Sequence, residues 1–267
     1  MLAARAFVER DFLTNVSYRV AFVTQFAGIL FQVAMFYFMA QVFGAAVMPS
    51  LQAYGGNYFA FLLIGIAFSS YLGLGLNSFS SSIREGQGNG TLELMLLSPT
   101  RLSTILMASS TWGYLFTSFR VLVYLLVGIV LFGVRFGHAD VLAAIVMLLV
   151  SVVCFASIGI LSASFIMVLK KGDPIVWAFG SLSGLLAGVY YPVGVLPGWL
   201  QVGSRVLPLT YSLEGMRLAL LQGYSIQELW PDLAALLAFA AVLLPLGLWS
   251  FRLAVRRAKM EGSLAQF

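Results

Sequence analysis

Charged residues are scarce in this sequence. Only 9% of its 267 residues are Asp, Glu, Lys or Arg, whereas an ordinary soluble domain has about 25%. Hydrophobic residues make up 61%, and the mean hydropathy is +0.96. Such a composition cannot cover a water-exposed surface with polar side chains. We therefore predict an all-α polytopic membrane protein, because the apolar runs have the length of membrane helices.

Cysteine and histidine are nearly absent, since each occurs once, as Cys154 and His138. A single cysteine cannot form a disulfide within the chain, and neither residue alone can build a Cys-based or His-based metal site. The sequence lacks the glycine-rich motif that cradles nucleotide phosphates, and no pair of carboxylates lies in the middle of an apolar run. We predict that this chain is not an enzyme by itself and binds no metal or cofactor.

Six apolar segments are long enough to span a bilayer, which requires about 20 mainly apolar residues. The predicted spans are residues 20–43, 57–79, 104–132, 141–169, 175–192 and 232–251. An even number of spans places both termini on the same side of the membrane. Residues 1–267 are expected to form a single transmembrane domain.

The basic residues indicate which side that is. Most of them fall on the side of the termini, namely Arg5, Arg10, Arg19, Arg84, Arg101, Lys170, Lys171, Arg252, Arg256, Arg257 and Lys259. The opposite loops hold Arg135, Arg205 and Arg217. Because cytoplasmic loops carry the excess of Lys and Arg, we expect cytoplasmic termini and a cytoplasmic loop at residues 80–102. We interpret the net charge of +5 as this topological bias and expect no binding to nucleic acid.

The first 19 residues are predicted to form a helix lying on the inner leaflet. Ala4, Val8, Phe12 and Val16 recur at a spacing of four residues, which places them on one face of a helix. Charged residues flank this stripe, so a frayed polar tail is the alternative.

The segment at residues 193–228 lies on the outer side but is too apolar for a free loop. Pro192, Pro197 and Pro208 divide it into helical pieces that are too short to span the bilayer. Irregular backbone at membrane depth is tolerated only when it is buried in protein or lines a cavity. We therefore predict a re-entrant helix pair between spans 5 and 6, near residues 198–206 and 210–222. The alternative is an amphipathic element lying flat on the outer leaflet.

Polar side chains inside the spans are candidate conduit residues. Gln25 and Gln32 lie seven residues apart on one face of the first span, and Arg120 lies inside the third. A charge at that depth costs at least about 2.5–3.5 kcal/mol, so Arg120 is expected to face protein or water. Two interpretations stay open for Arg120: a substrate or gating contact, or a structural arginine bonded to carbonyls. For the two glutamines, the alternatives are a polar path and pairing with a neighbouring helix.

The loop at residues 80–102 is a polar break between two apolar spans. Residues 91–97 are predicted to form a short helix, which Thr91 caps and Pro99 ends. One face of this helix is apolar and consists of Leu92, Met95 and Leu96. The spacing of these residues fits a helix seated in the groove of another protein. Contact of the same face with lipid is the alternative.

Two stretches of the sequence resemble the characteristic blocks of ABC-2 type exporter permeases. The first comprises Glu85, the run Gly90-Thr91-Leu92-Glu93 and Ser98-Pro99. The second consists of Tyr191-Pro192, Leu196-Pro197-Gly198-Trp199, Leu207-Pro208-Leu209-Thr210-Tyr211 and Gly215-Met216-Arg217. The six predicted spans and the N-terminal segment agree with the same family. The resemblance therefore covers essentially the whole chain.

The resemblance implies a homodimer of six-span permeases with two copies of a separate ABC ATPase, in the bacterial inner membrane. ATP and Mg would be bound by that ATPase and not by this chain. The short helix after the second span resembles the family's coupling helix. Its ATPase-coupling residues would be Glu85, Gly90, Thr91, Leu92, Glu93, Met95, Leu96 and Pro99. The segment between spans 5 and 6 resembles the outer helices that close the exit, with gate residues Pro192, Pro197, Trp199, Pro208 and Tyr211.

The function implied by the resemblance is that of a permease subunit in an ATP-driven exporter. We expect a hydrophobic or amphipathic cargo, such as a drug, a lipid or a lipid-linked molecule, moved out of the cytoplasm or the inner leaflet. Polysaccharide and sodium are alternative cargoes. An alternative of another class is a channel or carrier that works without a motor.

Overall fold

The computed structural model describes residues 19–88, 102–169 and 174–260. All regular structure within these ranges is helical, which agrees with the predicted all-α class. The predicted interfacial helix at residues 1–19 falls almost entirely outside the described residues. The predicted docking helix at residues 91–97 also falls outside them, so both stay predictions.

Eight α-helices make up the described chain. They are α1 (Arg19–Val47), α2 (Tyr58–Gly88), α3 (Leu102–Phe132), α4 (Val141–Leu169), α5 (Pro174–Leu186), α6 (Gly198–Ser204), α7 (Pro208–Arg217) and α8 (Trp230–Met260). Short 3-10 helices at Met48–Tyr54 and Val193–Val195 connect α1 to α2 and α5 to α6. A π-helical turn at Leu218–Gln222 continues α7.

Five of these helices are long and apolar enough to cross a membrane. Their candidate spans are Thr24–Gly44, Tyr58–Ser81, Ser110–Phe132, Val141–Val168 and Trp230–Arg257. They correspond in order to predicted spans 1, 2, 3, 4 and 6. The protein is therefore a multi-pass membrane protein.

The fifth predicted span is shorter than its hydropathy suggests. It was predicted over residues 175–192, but the described helix α5 has 13 residues and ends at Leu186. At 1.5 Å per residue it is about 20 Å long, against about 30 Å for the hydrocarbon core. The helix stops because Gly188 adopts a left-handed conformation with φ of 77°, which an α-helix does not contain.

Helices α2 and α4 form the centre of the bundle. The candidate span in α2 is 78% buried, whereas those in α1 and α8 are each 17% buried. Helix α2 packs against α1, α3, α4 and α7, and α4 also packs along α8. At the crossing of α2 and α4, a Cβ on Gly159 would collide with the carbonyl oxygen of Gly75. Such close backbone approach is a main source of helix association in lipid.

Helices α1, α3 and α8 present large apolar side chains on the surface of the bundle. On α1, for example, Phe31, Met35, Phe38 and Val42 are all exposed. Their spacing of three or four residues places them along one side of the helix. In this protein such a stripe faces lipid or a neighbouring protein, since neither requires polar groups.

Candidate functional site

The connection between α5 and α8, residues 187–229, begins where α5 stops. We call it the outer segment after its predicted location. Gly188 turns the chain away from the helix axis, Pro197 precedes α6, and Pro208 is the first residue of α7. Proline suits a first helical position because its missing N–H would have no partner there. Two short helices therefore lie close to the predicted positions, with α6 at Gly198–Ser204 and α7 at Pro208–Arg217.

Arg217, the last residue of α7, is the centre of a buried polar cluster. Its side chain is only 3% exposed. Its Nη1 and Nη2 donate to the carbonyl oxygens of Gly188 and Val189 at 2.8 and 2.9 Å, and its Nε donates to that of Phe61 at 3.3 Å. The same guanidinium lies over the Phe61 ring, 3.4 Å from the ring centre. One side chain thus joins α7 to α2 and to the chain just beyond α5.

Gly65 makes room for this arrangement. It lies one helical turn after Phe61 on α2. A Cβ at this position would collide with the carbonyl oxygen of Val189 and with Nη2 of Arg217. The absence of a side chain on α2 is therefore a condition for the arginine's contacts.

Glu214 and Tyr54 extend the cluster toward the connection between α1 and α2. Glu214 lies one turn before Arg217 on α7, and the Tyr54 hydroxyl donates to its carboxylate, whose oxygens lie 2.8 and 2.9 Å away. Burial, and then the negative charge of Glu214, raise the pKa of Tyr54 above its ordinary value. Tyr54 therefore stays neutral and keeps its proton for this bond. Its ring also contacts that of Phe61, with centroids 5.1 Å apart.

The carbonyl groups at the end of α5 are bonded by side chains of the outer segment. The last carbonyls of a helix have no partner within the helix. The Ser204 hydroxyl donates to the carbonyl oxygen of Leu186 at 2.8 Å, and the Tyr191 hydroxyl donates to that of Leu185. Arg217 donates to the carbonyls of Gly188 and Val189 just beyond the helix, and the C-terminal end of a helix favours positive charge. The outer segment thus caps α5, and movement of α7 would have to move or uncap this end.

The predicted gate residues all lie in the outer segment, and their environments differ. Pro192 and Pro208 are buried, Pro197 is exposed, and Trp199 on α6 is 74% exposed. Tyr211 is half-buried and donates to the carbonyl oxygen of Arg205 at 3.0 Å. All five residues lie in the outer segment. The buried polar cluster, in contrast, consists of Arg217, Glu214 and Tyr54.

These three residues were not among the sequence-based site candidates. The available signal was a pair of charges, Glu214 and Arg217, at i and i+3 inside an otherwise apolar stretch. Such charges near the membrane usually have partners within the protein. The partners of Arg217 lie 156, 29 and 28 residues away, so the pattern alone could not identify them.

The candidate conduit residues lie on α1 and α3. Gln25 is exposed, whereas Gln32 accepts a hydrogen bond from the Tyr124 hydroxyl of α3 at 2.6 Å. Arg120 lies one turn before Tyr124 and is half-buried. Its Nε is buried and has no acceptor among the described residues. Gln32 therefore pairs two helices, while Arg120 keeps an unmatched donor beside that pair.

The predicted ATPase-coupling residues lie at or beyond the end of α2. Glu85 belongs to the last turns of this helix, and its side chain is outside the described set. The residues entirely outside the described ranges are Gly90, Thr91, Leu92, Glu93, Met95, Leu96 and Pro99. Helix α2 continues to Gly88, nine residues past the predicted span, which adds about 14 Å of helix. The helix therefore leads directly into the predicted docking loop.

The described polar cluster joins α2, α7 and the chain beyond α5 through side-chain contacts. Among the described residues, no group of three or more His, Cys, Asp or Glu side chains could hold a metal ion. The model of one protein family, described as ABC-2 type transporter, matches residues 3–221. No match was found among curated proteins.

Proposed function

Because this chain belongs to the ABC-2 type transporter family, we propose that it is the permease subunit of an ATP-driven exporter. It is a membrane permease of an ABC transporter, and the family implies a partner ABC ATPase. The direction of transport, the cargo and the docking site are our proposals. In this proposal two ATPase subunits dock on the loop after α2. The chain itself provides the transport pathway, the outer gate and the helix that transmits movement from the ATPase.

The continuity of α2 is the observation that carries this proposal. Its 31 residues run without interruption from Tyr58 to Gly88, a length of about 46 Å. One end holds Phe61 and Gly65, which contact Arg217 of the outer segment. The other end leads into the predicted docking loop. A force applied at that loop would therefore reach the outer helices through one buried, rigid element.

We further propose that two copies of this chain form the permease. Helix α1 exposes Phe31 and Phe38. Helix α5 exposes Trp177, and a Cβ on Gly180 or Gly184 would meet open space. These surfaces supply apolar area and small residues that a second protomer can pack against. A cargo path between two such faces suits a hydrophobic or amphipathic molecule, with polysaccharide or sodium as the alternative.

The proposed topology places both termini in the cytoplasm of a bacterial cell and the chain in its inner membrane. Two observations support this topology. Arg217 of α7 contacts Phe61 near the start of α2. Phe251 and Ala254, close to the basic tail of α8, share a buried cluster with Phe79 farther along α2. Introduced cysteines give a direct test, because the one native cysteine, Cys154, is buried. Labelling from outside should reach position 199 and spare position 256 in intact cells.

Recruitment of an ATPase tests the exporter proposal against a motor-independent channel. The full chain should co-purify with a P-loop ATPase, and deletion of residues 91–97 should abolish this association. Leu92→Asp should weaken it, whereas Leu94→Asp, off the apolar face, is the matched control. ATP-dependent movement of a labelled amphiphile into proteoliposomes should require both proteins. Transport by the chain alone, or an ATPase rate indifferent to Leu92→Asp and Glu93→Arg, would contradict the proposal.

A further inference from the structure

An open groove lies between α4 and α8, away from the outer cluster. It has a volume of about 280 Å³. Its walls include Phe165 and Val168 from α4, and Trp249 and Leu253 from α8. Arg257 lines the same groove and is exposed. Among the described residues, the groove therefore combines an apolar wall with the basic side chain of Arg257.

The cation occupies one end of this groove. Trp249, Leu253 and Arg257 follow at intervals of four residues, so they form one line along the face of α8. Leu253 and Trp249 are followed by Arg257 toward the end of the helix, where Arg252 and Arg256 are also exposed. The proposed topology places this end at the cytoplasmic surface of the membrane. The order along the groove is thus apolar within the bilayer and basic at its surface.

We propose that this groove binds one anionic phospholipid of the cytoplasmic leaflet. An acyl chain lies against Phe165, Val168 and Leu253, and the lipid phosphate binds the Arg257 guanidinium. Basic pockets between helices on the cytoplasmic side attract anionic head groups, and a guanidinium can donate two hydrogen bonds to one phosphate. The inference rests on the proposed topology, but it requires neither the ATPase nor transport.

The shape and charge of the groove favour a lipid over other occupants. A soluble phosphate would bind the arginine and leave the apolar walls in contact with water or lipid tails. A protein helix would have to fit beside the exposed ring of Trp249, which is 63% exposed. A phospholipid matches both ends, because its chain is apolar and its head group is negative.

Fluorescence quenching measures occupancy of the groove directly. The purified full-length chain is placed in nanodiscs of phosphatidylcholine with a varied fraction of phosphatidylglycerol that carries brominated acyl chains. Bromine quenches tryptophan at short range, and Trp249→Phe identifies the contribution of Trp249 among the 5 tryptophans. Saturable quenching of Trp249 by the anionic lipid is the expected result. Equal quenching by brominated phosphatidylcholine at the same fractions would overturn the proposal.

Two arginines of α8 provide a matched pair for the head-group contact. Arg257 lines the groove, whereas Arg256 is exposed and does not line it. The binding of the anionic lipid, read from Trp249 quenching, is measured at about 1 M salt. The screening length there is about 3 Å, so only close contacts persist. Arg257→Ala should weaken binding about tenfold or more, as expected for loss of a charge-assisted hydrogen bond. Arg256→Ala should leave it nearly unchanged, and equal losses in the two variants would overturn the proposal.

A second variant fills the groove from its α4 wall and leaves Arg257 in place. Val168 is 44% exposed, so Val168→Phe has room on the surface of α4, adds no tryptophan to the signal, and should displace the lipid chain. We expect loss of Trp249 quenching with unchanged thermal unfolding, and saturable quenching at wild-type affinity would contradict the proposal. Inorganic phosphate at millimolar concentration should not compete, and full competition would indicate an anion site instead. Failure of the exporter proposal would leave all these results unaffected.

Discussion

The guanidinium of Arg217 lies 3.4 Å from the centre of the Phe61 ring and also donates a hydrogen bond to the Phe61 carbonyl oxygen. A single residue of α2 thus provides both an aromatic face and a backbone acceptor for the same cation. A desolvated cation–π contact contributes about 2 kcal/mol. Because the other two donors bind carbonyls beyond α5, Arg217 fixes the relative positions of three elements.

Replacement of Arg217 is expected to separate the outer segment from α2. Arg217→Leu leaves the carbonyl oxygens of Gly188 and Val189 without their donor, and each unsatisfied buried group costs about 1–3 kcal/mol. We expect a loss of at least about 3 kcal/mol in unfolding free energy and ATP hydrolysis without transport in the complex. Arg217→Lys should be intermediate, since lysine retains the charge but not the planar fork.

Arg205 is the control for that substitution. It lies in the same outer segment and its side chain is exposed. Arg205→Leu should change the unfolding free energy by less than about 0.5 kcal/mol, as is usual for surface positions. Thermal denaturation in detergent measures the stability of both variants. Similar effects of the two substitutions would mean that burial of Arg217 has no special role.

A methyl group at Gly65 should disturb the same junction from the side of α2. In Gly65→Ala the new Cβ collides with the Val189 carbonyl and with Arg217, so the end of α5 must move. We expect reduced transport and a destabilisation of about 1–3 kcal/mol, as for other overpacked sites. Gly73→Ala is the matched control on the same helix, because a Cβ there meets nothing within 4 Å. Equal tolerance of both alanines in transport and unfolding assays would refute the role given to Gly65.

The turn before α8 should respond to acid through Glu228. Its carboxylate accepts hydrogen bonds from the Ser225 amide and hydroxyl, both at 2.8 Å, and the amide bond is the main cause that lowers the pKa of Glu228. The folded pKa lies below the unfolded one, so the stabilisation is present above the ordinary pKa of glutamate. It is lost as the pH falls through the lower, folded value.

Hydrogen exchange of the Ser225 amide measures this effect. Its protection should be constant at neutral pH and should fall in the acid range below the ordinary glutamate pKa. Glu228→Gln retains an acceptor oxygen but has no proton to gain, so its protection should not change with pH in that range. A similar acid response in the glutamine variant would place the cause elsewhere.

Hydropathy was sufficient to find the five spans that the structure supports but not the end of α5. The residues after Leu186 continue as Ala187-Gly188-Val189-Tyr190, which is apolar enough for a longer span. The helix nevertheless stops, because Gly188 turns left-handed and distant donors on Ser204 and Arg217 bind the released carbonyls. A hydropathy window contains no information about such partners, so the hydropathy pattern predicted a helix that is too long.

The buried cluster shows the same limit at the level of single residues. The prolines in the sequence predicted two short helices in the outer segment, since helix interruption by proline is a local property. It assigned Arg217 to an outer loop, because the positive-inside census counts charge and not burial. Only the fold shows that Tyr54, Phe61 and Gly65, far away in the chain, form the site of this arginine.

Arg120 offers the sharpest test of the conduit. Its Nε is buried without an acceptor among the residues that the structure describes, and leaving such a donor unmatched costs about 1–3 kcal/mol. If Arg120 contacts cargo or gate, Arg120→Ala should reduce transport while thermal stability is unchanged or increases. A structural arginine would give the opposite result, a clear loss of stability. Tyr124→Phe, which removes the donor to Gln32 one turn away, should lower stability by about 1 kcal/mol and serves as the comparison. Full transport by Arg120→Ala, measured in proteoliposomes with the ATPase present, would remove Arg120 from the conduit.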